Sequence, residues 1–394
     1  MFPRSPEIGR LRSGLVLGVL LFVVCSLVAA PLSSAAAATA IADSGGSVDS
    51  LAAADTDGGT ASSDGGSDIT IDSALETDAD GETVEVIVRL SEANVSPGEP
   101  PDQAATQLKH HAERTQGEVI SYARSTDGVA IENRFWVTNA VLLEVDTSRV
   151  DLESFGRFED VSTLHANFEV ELDGAAAASA STSGATAGTD STATTAGSDA
   201  TYGLEQINAT TVWDEYGVNG SGTKVAVLDT GVDANHPDID LYTTNSSDPT
   251  YPGGWAEFDQ DGNRVSGSTP QDFGDHGTHV SATVAGGNAS GSHIGVAPGA
   301  DLLHGAVLTD CENGCSGTYA QIIEGMQWAV DRDADVVSMS LGAQTYAEQF
   351  IDPVRNARSA GTIVVSSSGN DGDGTSGSPG NVYEVLWSIP PMSC

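Results

Sequence analysis

The sequence predicts an α/β protein with a mostly parallel, doubly wound sheet, preceded by a small α+β domain. Two observations predict this. From Tyr202 onward, short apolar runs alternate with helix-compatible segments, the order that places helices on both faces of a parallel sheet. Residues 83–172, which lie between two stretches of small polar residues, contain several strand-like runs and few helices.

The first 38 residues have the pattern of a secretory signal peptide. Arg4, Arg10 and Arg12 precede an apolar run from Leu15 to Ala30, and small residues follow. A membrane anchor is the alternative, although the apolar run is just short of the roughly 18 to 20 residues that a span needs. We expect residues 1–38 to be removed, leaving a secreted, extracellular protein with no stable membrane association.

Residues 39–82 and 173–200 are predicted linkers, because Ala, Ser, Gly, Thr and Asp dominate them and little apolar surface is available to fold. Between them, residues 83–172 form the predicted α+β domain. The run TVEVIVRL alternates as a strand does, residues 102–117 are helix-compatible, and FWVTNAVLLEVD and FEVEL are further strands. A split βαβ arrangement fits this order.

The alternating part of the chain, residues 201–386, contains four apolar runs that predict strands: KVAVLD (224–229), DLLHGAVL (301–308), DVVSMSL (335–341) and GTIVVSSS (361–368). Helices are expected over 278–286, 317–332 and 347–359. In such sheets the functional residues lie at the carboxyl ends of the strands. Residues 387–394 fit no element and are interpreted as a tail.

The chain is extremely acidic, with 56 Asp and Glu against 15 Lys and Arg and a net charge of −41. Such a charge argues against nucleic acid and anionic membranes as partners, because phosphate would be repelled. The acids are scattered among apolar runs, which favours a folded protein with an acidic surface over a disordered chain. Only Lys109 and Lys224 are lysines. This composition is typical of proteins from salt-saturated cells. Because salt screens the repulsion between acidic groups, we expect the protein to lose structure in low salt.

Three polar residues lie at predicted strand ends or helix starts. Asp229 closes KVAVLD, His276 stands in a Gly-rich loop before a helix, and Asn370 follows GTIVVSSS. Singly, each fits a turn or surface residue. Together they predict a hydrolase in which a carboxylate orients an imidazole base and an amide stabilises an oxyanion. The helix dipole is expected to lower the pKa of His276.

Five segments carry a family resemblance: VAVLDTGVDANHPDI, HGTHVSATVAG, GVAPGADLL, VVSMSLG and SSSGNDG. In order and spacing, from about Tyr202 to Leu386, they resemble the blocks of the subtilisin-like serine proteases, the peptidase S8 family. The acidic, lysine-poor composition resembles the halolysins of halophilic archaea. Residues 83–172 resemble the propeptide of such enzymes, which implies an intramolecular inhibitor.

The resemblance implies roles for the site residues. Asp229 would orient the base, His276 would be the general base and acid, and Asn370 would be the oxyanion donor. His279 is expected to be a helix residue packed under the site. Two edges would hold an extended protein or peptide substrate: Ser316 with Gly317, and Ser340, Leu341 and Gly342.

The resemblance also implies a structural calcium ion at Asp238, with the loop 287–293 as partner. The family's Asn ligand falls on Ala289, so Asn288 would have to substitute. Cys311 and Cys315 are spaced to form a disulfide or to remain free thiols. A zinc site is not expected because no further Cys pair or nearby His completes it.

The nucleophile is the missing member of the family pattern. No Gly-Thr-Ser-x-Ala block occurs in the 24 residues after Asn370. Ser376 is in Gly-Thr-Ser but is followed by Gly-Ser, and the tether from Asn370 is too short for the nucleophile's position. We therefore expect a secreted, salt-adapted serine endopeptidase lacking its Ser block, or an inactive truncated product. A metal hydrolase using Asp272, Asp275, His276 and His279 is a third reading.

Overall fold

A computed structural model of the chain describes residues 69–78, 81–172, 199–242, 253–343, 346–370, 375–382 and 385–388. The predicted signal peptide, residues 1–38, lies outside the described residues, as do residues 39–68 and 173–198 of the two predicted linkers. The described residues form a small α+β domain and a larger α/β domain.

The small domain is a five-stranded sheet with helices on one face. Its strands occur in the order β1-β5-β2-β4-β3, and β2, β4, β3 and β5 pair antiparallel. This order, with helices after β2 and a 3-10 helix after β4, confirms the predicted split βαβ arrangement. The elements are β1 Thr70–Ile71, α1 Ser73–Asp78, β2 Thr83–Leu90, α2 Pro101–Thr115, α3 Gly117–Ser125, β3 Val129–Phe135, β4 Ala140–Asp146, a 3-10 helix Leu152–Arg157, β5 Val161–Ala166 and β6 Glu169–Glu171.

Strand β2 is buried on both faces in its second half, which explains why the alternation of its first residues gives way to three apolar residues in succession, Val86, Ile87 and Val88. Val86 and Val88 pack in the small domain's own core, whereas Ile87 packs in a core shared with the larger domain. Successive side chains of a strand point to opposite faces, so both faces of this sheet are covered. The small domain therefore docks on the larger one through the outer face of its sheet.

The predicted linker boundary at residue 82 is wrong. Residues 69–78 belong to the small domain, because Thr70–Ile71 pairs in parallel with Thr163–Leu164 of β5. Leu75 in α1 is 2% exposed and packs in the small domain's core. Isolated apolar residues in a polar stretch gave no periodic signal, so sequence alone placed them in the linker.

The larger domain contains a six-stranded sheet in the order β13-β12-β11-β7-β9-β8, with every neighbouring pair parallel. This confirms the predicted fold class. The chain runs from the central β7 to one side and then returns to the other, so the strand order reverses beside β7. The elements are α4 Tyr202–Gln206, α5 Ala209–Tyr216, β7 Lys224–Asp229, β8 Trp255–Glu257, α6 His276–Ala285, β9 Asp301–Ala306, β10 Ser316–Thr318, α7 Tyr319–Asp331, β11 Val336–Met339, a 3-10 helix Glu348–Phe350, α8 Ile351–Ser359, β12 Ile363–Ser367 and β13 Leu386–Ser388.

Helix α7 lies between the larger sheet and the small domain. It is buried along almost its whole length and its core positions include Ile322, Ile323 and Met326. A helix that is buried on nearly all sides needs such a double cover. Thr318 and Gln321 form a capping box at its start, which satisfies free N–H groups there.

The tail predicted for residues 387–394 begins too early, because β13 extends to Ser388 and pairs with Val365–Ser367. The short elements α4, α5 and β8 were not predicted, since runs of three to eight residues give weak periodicity. Within the described ranges, no helix is long and apolar enough to cross a membrane.

Candidate active site

Asp229 is the last residue of β7, the strand at which the sheet order reverses. Its side chain is fully buried, and the backbone N–H of Thr230 donates to Oδ1 at 2.7 Å. The second oxygen, Oδ2, is buried without a hydrogen-bond donor among the described residues. A buried carboxylate with so few donors depends on a nearby charge or ring N–H for compensation.

His276 supplies that partner as the first residue of α6. Its Nδ1–H donates to Asp229 Oδ1 at 2.8 Å. Gly277 permits the approach, since a Cβ at this position would overlap the backbone oxygen of Gly231 in the loop after β7. The hydrogen bond fixes the proton on Nδ1, so Nε2 can accept a proton from another group.

The electrostatics of His276 differ from the sequence expectation. Burial lowers its pKa, but the hydrogen bond and charge of Asp229 and the charge of Asp272 raise it more, so the net pKa lies above the ordinary value. The expected lowering by the helix dipole is therefore wrong for the net effect. The imidazolium is stabilised, and the neutral base forms only at higher pH.

His304, not His279, is the histidine packed beneath the site. His279 is exposed and lines a surface cavity of about 530 Å³ with Thr201 and Leu204. His304 in β9 is fully buried, and burial lowers its pKa to about 4. Sequence reasoning missed it, although a His in the apolar run DLLHGAVL was the available signal.

Both ring nitrogens of His304 contact the loop and helix that carry the pair. The N–H of Gly231 donates to Nε2 at 3.1 Å, and Ser281 Oγ of α6 lies 2.9 Å from Nδ1. Because Nε2 accepts, the neutral ring carries its proton on Nδ1 and donates to Ser281. His304 thus joins β9, the loop after β7 and α6.

The two predicted substrate edges enclose a strand of the chain itself. Strand β6 pairs antiparallel with β10, Glu171 opposite Ser316 and Val170 opposite Gly317. On its other side, the N–H of Gly342 donates to the carbonyl of Glu171 at 3.1 Å. Ser340 is half-buried just after β11, and the side chain of Leu341 is fully buried in the core. The edges therefore hold an extended backbone in the way predicted for a substrate.

Asn370 is exposed three residues after the end of β12, at the carboxyl edge of the same sheet. Ser376 is exposed as well, and its carbonyl accepts from Asn381 Nδ2 at 3.0 Å. Its neighbour Gly377 donates its N–H to the carbonyl of Ser368. The loop containing Ser376 thus folds back on the segment after β12.

Residues 220–387 match the model of the family described as "Subtilase family". We call this matching stretch, which is similar to that family, the subtilase segment. The match includes the Asp229–His276 pair and both edges that enclose β6.

Curated relatives of this subtilase segment include the "Major intracellular serine protease" of Bacillus subtilis (strain 168), 40% identical over 172 residues, which are 44% of this chain and 50% of that protein. Subtilisin E of the same strain is 36% identical over 46% of this chain and 42% of its own length. Thermitase of Thermoactinomyces vulgaris is 36% identical over 44% and 55%. The chain spans about half the length of these relatives.

A solved structure with a similar fold is that of fervidolysin from Fervidobacterium pennivorans, described as a keratinolytic enzyme related to subtilisin. The TM-score is 0.51 and the sequence identity 18%, over 82% of this chain and 45% of that one. Because the likeness covers 82% of this chain, it extends beyond the subtilase segment.

Cys311 and Cys315 of the subtilase segment are joined by a disulfide, which closes the loop before β10. The sulfur of Cys315 packs against Gly274, two residues before His276, where any side chain would overlap it. The disulfide thus lies between the loop of the general-base candidate and the edge strand β10.

Asp238 does not have the surroundings of a calcium ligand. Its carboxylate accepts from the backbone N–H groups of Ala289 and Ser290, and the Ser290 hydroxyl and these N–H groups lower its pKa. The carbonyl of His293 in the same loop already accepts from Thr201. No group of three His, Cys, Asp or Glu side chains within the described ranges is placed to hold a metal ion. N–H donors do not fit a cation, so the residues around Asp238 do not support the calcium ion that the resemblance implies.

Proposed function

We propose that this chain carries the Asp–His part of a serine endopeptidase of the subtilase family. The 2.8 Å hydrogen bond between Asp229 and His276 carries the proposal. Asp229 holds the imidazole with its proton on Nδ1, so Nε2 accepts the proton of a serine hydroxyl and returns it to the leaving amine. Asn370 would donate a hydrogen bond to the oxyanion. The residues that match the family's motifs include no nucleophilic serine, so the attacking hydroxyl would belong to a serine outside these motifs.

The pH dependence follows from the raised pKa of His276. The charged form pairs with Asp229, and this contribution to stability is present below the ordinary pKa and lost as the pH rises through the raised one. General-base activity has the opposite requirement, because only the neutral ring accepts a proton. Activity should therefore increase with pH through the pKa of His276.

The small domain acts, in this proposal, as an intramolecular inhibitor. Strand β6 occupies the space between Ser316–Gly317 and Gly342 that an extended substrate would need. Further contacts hold the domain, including the hydrogen bonds from the N–H of Trp136 to Gln327 and from Asn356 to the carbonyl of Val137. The substrates would be extended segments of proteins or peptides.

Cross-linking tests the register of the inhibitor strand. Glu169 lies opposite Thr318, so the pair of substitutions Glu169→Cys and Thr318→Cys should form a disulfide under mild oxidation. Glu169→Cys with Ser316→Cys is the matched control, two residues out of register. Equal cross-linking of both pairs, measured by peptide mass, would contradict the placement of β6.

Labelling with a fluorophosphonate in molar salt tests catalysis. Labelling at a serine that is lost in His276→Ala supports the endopeptidase. Absence of labelling at every serine contradicts it for this chain and favours the second candidate, a non-catalytic peptide-binding protein, which the occupied cleft supports. Chelator-sensitive activity without labelling would point to the metal hydrolase.

Export and adaptation to high salt belong to the same proposal. The pattern of residues 1–38 supports secretion, and the net charge of −41 supports salt adaptation, because screening reduces self-repulsion. The melting temperature should therefore rise between dilute buffer and molar salt. An unchanged melting temperature would contradict the adaptation and leave the proposed catalysis standing.

A further inference from the structure

Asp272, in the loop before α6, accepts four hydrogen bonds through its carboxylate. Oδ1 accepts from Thr230 Oγ1 at 2.6 Å and from the N–H of Gly274 at 3.2 Å. Oδ2 accepts from the N–H and the hydroxyl of Thr278 at 2.7 and 2.5 Å. Four hydrogen bonds hold the Asp272 carboxylate in a single orientation.

Three of the four hydrogen bonds come from the two segments that carry the catalytic pair, and the fourth comes from Gly274 in the same loop. Thr230 directly follows Asp229, and Thr278 is two residues after His276. Thr230 Oγ1 also accepts the N–H of Gly277 at 2.9 Å. A continuous set of hydrogen bonds therefore runs from the end of β7 through Asp272 to the first turn of α6.

The start of α6 depends on this set because its own N-cap residue does not cap it. Asp275 has a left-handed backbone, φ 60°, and its side chain makes no capping hydrogen bond. The free N–H groups of Gly277 and Thr278 are instead satisfied by Thr230 and Asp272. Backbone contacts reinforce the arrangement, since Phe273 donates its N–H to the carbonyl of Thr230 at 2.9 Å.

We propose that Asp272 is a positioning residue that holds the end of β7 and the start of α6 in the placement that brings Asp229 and His276 together. The inference rests on the proposed function only in treating this pair as the catalytic one. Asp272 itself makes no contact with the imidazole among its hydrogen bonds; it acts through Thr230 and Thr278.

The charge of Asp272 has a second effect, which is to raise the pKa of the His276 imidazole. A residue that only capped the helix would not be expected to change this pKa. Burial lowers the pKa of His276, while Asp229 and then Asp272 raise it. His279, on the same helix, responds to the ring in turn, since burial and the charge of His276 lower its pKa. Removing the Asp272 charge should therefore lower the pKa of His276.

NMR titration of the full chain with ¹³C-labelled histidine tests this, with His276→Gln identifying the resonance. Asp272→Asn should lower the pKa of His276, because it removes one of the two carboxylates that raise it. The matched control is Asp275→Asn, which removes an acid three residues after Asp272 that does not cap α6. This variant should leave the pKa of His276 unchanged, because Asp275 is not among the groups that shift it. An unchanged pKa in Asp272→Asn, or equal shifts in both variants, would overturn the proposal.

A second variant covers the case in which Asp272→Asn does not fold. Thr230→Val keeps the charge of Asp272 but removes its link to Gly277. The downfield NMR signal expected for the Nδ1 proton that His276 donates to Asp229 should weaken or disappear, and its retention at full intensity would overturn the proposal. Neither measurement requires peptide-bond cleavage, so failure of the labelling experiment leaves this test intact.

Discussion

The N–H of Gly342 donates to the carbonyl of Glu171, and through this bond a strand of the small domain lies against the edge that follows β11. On the opposite side the N–H of Leu172 donates to the carbonyl of Cys315 at 2.8 Å. The cleft thus binds backbone on both sides, as β-strand addition does. Its affinity for a strand depends on how closely β10 can approach its neighbours.

Gly317→Ala should displace β10 and weaken the docking of β6. A Cβ at Gly317 would overlap the carbonyl oxygen of Val307, and backbone cannot move away as a flexible side chain can. We expect faster hydrogen exchange in residues 169–172, measured by mass spectrometry. Gly287→Ala is the control, because its Cβ would meet only ordinary contacts at 3.6 Å or more. Equal exchange in the two variants would contradict the prediction.

Arg89 and Asp352 form an ion pair between the domains, with side chains only 10% and 13% exposed. Arg89 also donates to the carbonyl of Gln349 at 3.2 Å. Arg89→Met should leave Asp352 with the more exposed Arg355 as its partner and cost at most about 3 to 5 kcal/mol, measured by urea unfolding.

The exposed pair Arg149–Asp127, with side chains 54% and 93% exposed, provides the control for this change. Arg149→Met should cost at most about 1 kcal/mol. The double variant Arg89→Met with Asp352→Leu should recover much of the loss, since an apolar pair can replace a buried ion pair. A loss in Arg89→Met no larger than the control's would refute the role of the pair.

The sequence predicted those parts of the fold whose residues carry long apolar runs. Strands β7, β9, β11 and β12 and helices α6, α7 and α8 lie where expected, since each run is buried in one sheet or helix layer. β6 was expected as a strand, but its place between Ser316–Gly317 and Gly342 was not. That position depends on main-chain hydrogen bonds between distant segments, which side-chain pattern does not encode.

In the site, too, the sequence predicted the residues with local signals and missed those that depend on tertiary contacts. Asp229 and His276 were predicted because strand ends and helix starts have local sequence signals, and they are hydrogen bonded. His304 was missed because its role depends on Gly231 and Ser281, which tertiary packing brings to it. The predicted direction of the pKa shift of His276 was wrong, because burial is outweighed by the effects of Asp229 and Asp272, which raise the pKa.

His304 should make the protein sensitive to acid. Its pKa is about 4 in the folded chain, below the ordinary value of 6.5, so the unfolded chain binds the proton first. Stability is therefore lost as the pH falls from about 6.5 towards 4, by on the order of 3 kcal/mol. His304→Gln, which stays neutral and retains an acceptor and a donor, should flatten this part of the stability curve.

Thermal melts between pH 7 and pH 4 measure how the melting temperature of each protein changes with pH. The difference between His304→Gln and the parent isolates His304, because both proteins contain the same carboxylates and these contribute equally. His165, also buried with a pKa of about 4, leaves a remaining acid response in the His304→Gln variant. The exposed His110 supplies the control, since His110→Gln should reproduce the parent's curve. Identical acid responses in the parent and His304→Gln would contradict the argument.

Asp238 should stabilise its loop through hydrogen bonds, not through calcium. Asp238→Asn should lower the melting temperature, because the N–H groups of Ala289 and Ser290 lose a charged acceptor. The lowered pKa of Asp238 means that this contribution is present above the ordinary Asp pKa and lost as the pH falls through the folded value. Asp240→Asn, an exposed neighbour, is the control. Calcium added to chelator-treated parent should give no binding heat in isothermal titration; heat that disappears in Asp238→Asn would restore the calcium prediction.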